Sequence, residues 1–122
     1  MLKKSLPLLA FTYTIALAVI SLLNSSKLPS IDVNNSDKFA HAIAYGLLCF
    51  VWYMTLKAHK FSSALLIAVF VAVIYGIILE ILQGTLTEAR VPDVYDILAN
   101  CIGVAFISIF ITIRNKSHVK NL

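Results

Sequence analysis

The 122-residue chain is 60% hydrophobic and 13% charged, with a formal net charge of +4 and two cysteines. Soluble domains carry about 25% charged residues, and a chain this short has too much surface to hide so many apolar side chains. These values exclude a soluble domain, a disordered chain and a cysteine-rich disulfide scaffold, and leave an integral membrane protein.

Four stretches contain no Lys, Arg, Asp or Glu: residues 5–26, 39–56, 61–79 and 97–113, of 22, 18, 19 and 17 residues. A helix crosses the hydrocarbon core with about 17–25 apolar residues. The second and fourth stretches reach across with their polar first turns at one interface. A β-barrel would show segments of about 10 residues with strict alternation, and residues 64–78 do not alternate. The pattern predicts an all-α transmembrane bundle of four helices, over residues 5–24, 37–57, 61–83 and 93–114, forming one domain over 1–122. The first stretch follows Lys3 and Lys4. Its apolar run is longer than the roughly 7–15 residues of a signal-peptide core, and no small-residue cleavage site follows, so it reads as a retained helix.

An even number of spans puts both termini on one side. That side holds Lys3, Lys4, Lys57, Lys60, Arg114, Lys116 and Lys120; the other holds Lys27, Lys38 and Arg90 with all six acids, Asp32, Asp37, Glu80, Glu88, Asp93 and Asp96. The excess of Lys and Arg marks the cytoplasmic side, so both termini are expected there. The positive charge then serves insertion and contact with anionic membrane lipids. Nucleic-acid binding is not expected, because the basic residues are scattered over helix ends and form no reading element. Residues 24–36, 57–60 and 84–92 read as connections. Trp52 and Tyr53 near the cytoplasmic end of the second span suit the headgroup region. Tyr13 and Tyr75 read as packing or lipid-facing residues, and Cys49 and Cys101 as small buried hydrophobes rather than a disulfide.

The informative residues are polar ones within or beside the spans. Asp37, His41 and Tyr45 recur every four residues on one face of the second span, with Lys38 alongside. Gly76, Glu80 and Gln83 share a face near the end of the third. Asp93, Asp96, Asn100 and Gly103 share a face at the start of the fourth, where Pro92 suits a first turn. All three faces lie at the extracytoplasmic end. Polar groups facing lipid cost a few kcal/mol or more, so the faces are expected to turn inward and meet, with Arg90 on the connecting loop. Each group also has a plainer reading: Asp37 and Lys38 as solvated interface residues, Tyr45 as a packed aromatic, Asn100 as an interhelical strut, Gly76 and Gly103 as close-packing positions.

These residues resemble the VanZ-like family of small bacterial membrane proteins. The resemblance rests on Asp37-Lys38-x-x-His41-x-x-x-Tyr45, on Gly76-x-x-x-Glu80-x-x-Gln83, and on Arg90 followed by Asp96-x-x-x-Asn100-x-x-Gly103. It covers residues 37–105. It implies a multi-pass protein of the bacterial cytoplasmic membrane, in a family named for a protein of teicoplanin resistance. The chain departs from the pattern at Thr87, Glu88 and Ala89, where a Pro or Gly often stands.

Three functions compete. The first is an outward pocket that binds or processes an anionic envelope lipid or its precursor. His41, Glu80 and Asp96 would then be the catalytic groups, and Asp37, Lys38, Tyr45, Gln83, Arg90 and Asn100 would hold the substrate. Burial could bring His41 and Glu80 into the range of proton exchange, and the Arg90 fork suits phosphate. No HExxH-type spacing supports a metal, and no cofactor is expected. The second is an accessory subunit whose polar cluster locks the helices. The third is a small proton-coupled transporter using Glu80. From Phe61 to Glu80 a helix rises about 28 Å, which sets Glu80 near the outer interface, whereas transport sites lie near the midplane. For the topology, alkaline phosphatase fused after Leu122 is expected to be inactive and fused after Asn34 active; the opposite pair of activities would overturn the orientation.

Overall fold

The computed structural model describes the backbone of residues 2–27, 35–86 and 94–120. Among these residues there are four helices and no strand: α1 (Leu2–Lys27), α2 (Asn35–Ala58), α3 (Ala64–Leu86) and α4 (Val94–Lys120). Each contains a segment of 19–23 residues long and apolar enough to cross a membrane. The helices overrun the charge-free stretches at most ends. Lys and Arg end the contact with hydrocarbon but are good helix formers, so α4 continues through Arg114 and Lys116 to Lys120.

The one late start is α3, expected from residue 61 and found from Ala64. The cause is the way α2 stops. Phe61 N–H donates to the Leu56 carbonyl and Lys60 N–H to that of Lys57, each at 3.0 Å. Lys60 takes the left-handed conformation, with φ of 64°. This is the paired-bond helix stop usually built on glycine. A lysine there costs about 1 kcal/mol, and the chain turns for three residues before Ile67 N–H reaches the Ser63 carbonyl and α3 begins.

The centre of the bundle is made of small and medium side chains. Leu48, Cys49, Ala68 and Ala72 are fully buried, so the helices approach closely, as membrane helices do where no water drives them together. The outward faces carry large apolar groups such as Leu8, Phe70 and Phe106. On a soluble protein such a surface would be an aggregation site; against lipid it is the matching solvent. α2 packs against all three other helices, and every pair is in contact except α1 with α4.

α1 is fastened largely by hydrogen bonds from aromatic donors, its own Tyr13 among them. Tyr13 O–H donates to the Ala44 carbonyl at 2.7 Å, and Tyr75 O–H to the Thr14 carbonyl at 2.5 Å. The Trp52 indole donates to the Thr14 hydroxyl at 2.9 Å, and its ring meets Phe11 edge-on at 5.1 Å. Trp52 and Tyr53, expected to suit the headgroup region, also take part in packing. Tyr53 is buried and its oxygen accepts from the Asn115 amide at 3.1 Å. An aromatic donor within a span needs an acceptor, and a neighbouring helix supplies one. Cys49 and Cys101 are both free thiols.

The closest approach joins α2 to α4. A Cβ added to Gly103 would lie 1.9 Å from the Ala42 carbonyl oxygen, and one added to Gly46 would lie 3.1 Å from the Gly103 oxygen. Backbone thus touches backbone. Gly103→Ala is expected to force α4 away from α2 and to cost about 1–3 kcal/mol, as overpacking does. Heat denaturation in detergent checks this, and an unchanged midpoint would contradict the contact.

Candidate functional site

The polar residues form two levels at the end of the bundle opposite the α2–α3 turn. The deeper level is Tyr45 on α2, Gly76 on α3 and Asn100 on α4. A Cβ on Gly76 would stand 2.9 Å from Asn100 Nδ2 and 3.2 Å from Tyr45 Cε1, so the missing side chain is the space those two occupy. Tyr45 and Asn100 are both buried. One turn nearer the end, on the same three faces, stand His41, Glu80 and Asp96. That spacing is the helical repeat of nearly four residues, and it sets these residues at one end of the bundle.

Asp96 is the centre of the outer level. Its side chain is 1% exposed. Oδ1 is paired with the Lys38 ammonium across α2 and α4. Oδ2 lies 3.7 Å from His41 Nε2 and makes no hydrogen bond among the described residues. Asp96 also sits in the first turn of α4, where free N–H groups and the positive end of the helix dipole favour a carboxylate. His41 is held from its other side, with Nδ1 at 3.1 Å from Asn100 Oδ1. With the amide oxygen as acceptor, the imidazole proton lies on Nδ1. Nε2 is then either a free base or, in the imidazolium, a second donor aimed at Asp96. The ring is parallel to that of Tyr45 within 3°, at a centroid distance of 6.5 Å.

Exposure divides these groups by sign. Lys38 and His41 keep 24% and 16% of their side chains exposed, against the 1% of Asp96. Glu80 is also buried. Among the described side chains of this end, the ammonium and the imidazole are the more exposed groups and the carboxylates the more buried.

The other expected site residues divide as follows. Gln83 is buried, and its amide donates to the Ser21 carbonyl at 2.9 Å, tying α3 to α1. Arg90 and Asp93 lie outside the described residues, and so does the side chain of Asp37. Among the described residues no group of three or more His, Cys, Asp or Glu is placed to hold a metal ion. Sequence reasoning passed over Ala42 and Gly46, whose contact with Gly103 sets the α2–α4 spacing. Their spacing of four, small residue to small residue, is the signal that could have found them.

The family comparison agrees with the motifs and reaches beyond them. Residues 4–115 match the model of the VanZ/LLP1 family, so the match takes in α1 as well as the three polar faces. No curated protein and no solved structure matches the chain.

The Lys38–Asp96 pair gives a test of the geometry. Removing one member of a buried ion pair strands the other, at a cost of about 3 kcal/mol or more, whereas replacing both by apolar groups is often neutral. Lys38→Met alone is therefore expected to lower the denaturation midpoint in detergent, and Lys38→Met with Asp96→Leu to recover most of it. Additive losses in the two single variants and the double would show that the pair is not coupled.

Proposed function

The chain belongs to the VanZ/LLP1 family, and we propose that it binds the anionic group of an envelope lipid or lipid precursor at the extracytoplasmic face of the bacterial cytoplasmic membrane. Both termini face the cytoplasm in this reading, as the distribution of Lys and Arg supports. The polar end of the bundle then opens outward.

The observation that carries the reading is the order of exposure at Asp96: cation-forming groups at the mouth, carboxylate below. Lys38 can exchange its carboxylate partner for a phosphate or carboxylate on the ligand, which keeps the ammonium paired and leaves the buried Asp96 to be compensated. Asp96 is then left to His41, whose Nε2 already lies 3.7 Å from Oδ2. A proton taken up from solvent and held between His41 Nε2 and Asp96 Oδ2 would replace the positive charge that has moved. Glu80, buried on the facing helix, is a second proton site within the same level. Arg90 supplies a further cation from the loop, with a fork suited to phosphate.

A lock between helices would require less. The Gly103–Ala42 contact and the Asn100 amide already join α2 to α4, and apolar groups could fill the rest. Two buried carboxylates, an imidazole and a partly exposed ammonium exceed that need, which favours a ligand site.

The test compares a polyprenyl phosphate with the uncharged polyprenol of the same length, on purified protein in neutral detergent. The phosphate is expected to bind saturably and at least about tenfold more tightly, since a charge-assisted contact is worth about twice a neutral one. The double variant Lys38→Met with Asp96→Leu, chosen to keep the fold, is expected to lose the preference. Equal binding of the two lipids, or an unchanged preference in the double variant, would overturn the reading. Teicoplanin susceptibility of a producing strain is the matching phenotype, given the resistance for which the family is named.

A further inference from the structure

The opposite end of the bundle carries a second cleft, unrelated to the polar pocket. It has a volume of about 620 Å³ and lies among α1, α2 and α4. Its apolar walls include Leu6, Phe110 and Ile111, and its mouth carries Lys57 and Arg114. The Tyr53 hydroxyl and the Asn115 amide, bonded to each other at 3.1 Å, lie between walls and mouth. The Lys57 ammonium stands 5.6 Å from the Tyr53 ring centroid, so it leans over the cleft rather than away from it. A neighbouring hollow of about 410 Å³ shares Tyr53, Lys57 and Asn115 and reaches Ser62, Ser63 and the start of α3. The first N–H groups of that helix and the positive end of its dipole point toward the same space.

The charges here have no acidic counterpart. All six acids of the chain lie within residues 32–37 and 80–96, at the other end. Among the described residues neither Lys57 nor Arg114 has an ion-pair partner. The apolar walls belong to segments long enough to span the membrane, so a ligand that fills the cleft needs a hydrocarbon part as well as a negative head. The volume lies in the range of ligand sites, about 300–1,000 Å³. It exceeds what a lone phosphate occupies and suits a headgroup with the first part of an acyl chain.

We propose that this cleft is a binding site for an anionic phospholipid of the surrounding membrane. The headgroup phosphate sits between Lys57 and Arg114, Asn115 donates to it, and one acyl chain lies along Phe110, Ile111 and Leu6. The site does not depend on the function proposed for the polar pocket. It accounts for cations that the insertion signal alone would not require to line a cavity.

Native mass spectrometry of the protein in a neutral detergent reads the site directly. Phosphatidylglycerol, phosphatidylcholine and inorganic phosphate are the probes. The expected result is one saturable phosphatidylglycerol site that phosphatidylcholine and millimolar phosphate do not displace. Each cation near an anionic lipid contributes about a fivefold factor, so Lys57→Gln with Arg114→Gln should weaken binding roughly twenty-five-fold. Lys116→Gln removes an exposed cation outside the cleft and should leave it unchanged. An equal loss on Lys116→Gln would reduce the effect to general surface charge and overturn the site. So would unsaturable binding, or displacement by phosphate, which would make the ligand a free anion. If the double variant fails to fold, Lys57→Gln alone should weaken binding about fivefold while Lys38→Met with Asp96→Leu at the other end leaves it unchanged; the reverse pattern would overturn the site.

Discussion

The absence of a side chain at Gly103 is the constraint on which the rest of the bundle depends. A Cβ there would stand 1.9 Å from the Ala42 oxygen, far inside van der Waals contact. The two backbones can therefore touch, and α2 and α4 run side by side in close contact. Asn100 and Asp96 lie on the same stripe of α4, about one and two turns from Gly103 respectively. Their side chains are short. Only at this separation can Asn100 reach the His41 ring at 3.1 Å, and Asp96 reach Lys38 on the facing helix. Longer carboxylates and amides could have bridged a wider gap, but with more freedom to lose on ordering.

The same closeness explains how ionised groups are held within apolar helices. An isolated charge in hydrocarbon costs several kcal/mol. Here the Asp96 carboxylate has an ammonium on one oxygen, an imidazole near the other, and the first turn of α4 around it. Lys38 pairs with the buried carboxylate while 24% of its side chain stays exposed. α1 has no part in this pairing. Its hold on the bundle comes from Tyr13, Trp52, Tyr75 and Gln83 bonding its neighbours or itself to α1. In lipid such bonds are the available glue, because apolar burial gains little against apolar solvent.

The helices and their polar faces were legible in the sequence because both follow from periodicity. A run without charge marks a span, and polar residues repeating every three or four positions mark a face. Two kinds of feature were not legible. Helix ends depended on hydrogen bonds that no composition announces: Lys60 in a position that favours glycine delays α3 to Ala64. Partner choice depended on three-dimensional separation. Lys38 read equally well as a solvated interface residue or a pocket residue, and only the Gly103 contact decides that it meets Asp96. Gln83, grouped by spacing with Glu80, turns to the α1 backbone instead, because residues three apart on a helix diverge by about 60°. The Ser21 carbonyl that receives it carries no mark in the sequence.

The two ends of the bundle solve opposite electrostatic problems. At the turn between α2 and α3 the cations have no acids near them in the chain, so their charge is directed outward, to whatever anions the membrane provides. At the other end acids outnumber bases, yet the order of burial reverses what the composition suggests. Asp96 and Glu80 are withdrawn, and Lys38 and His41 stand in front of them. Asp96 holds the ammonium in place and lies 3.7 Å from the imidazole. A carboxylate at the mouth would repel an anion directly; the same carboxylate behind an ammonium orients the group that attracts it. The burial order at Asp96 therefore matters more than the count of charges, and it follows from the spacing of α2 and α4 that Gly103 permits.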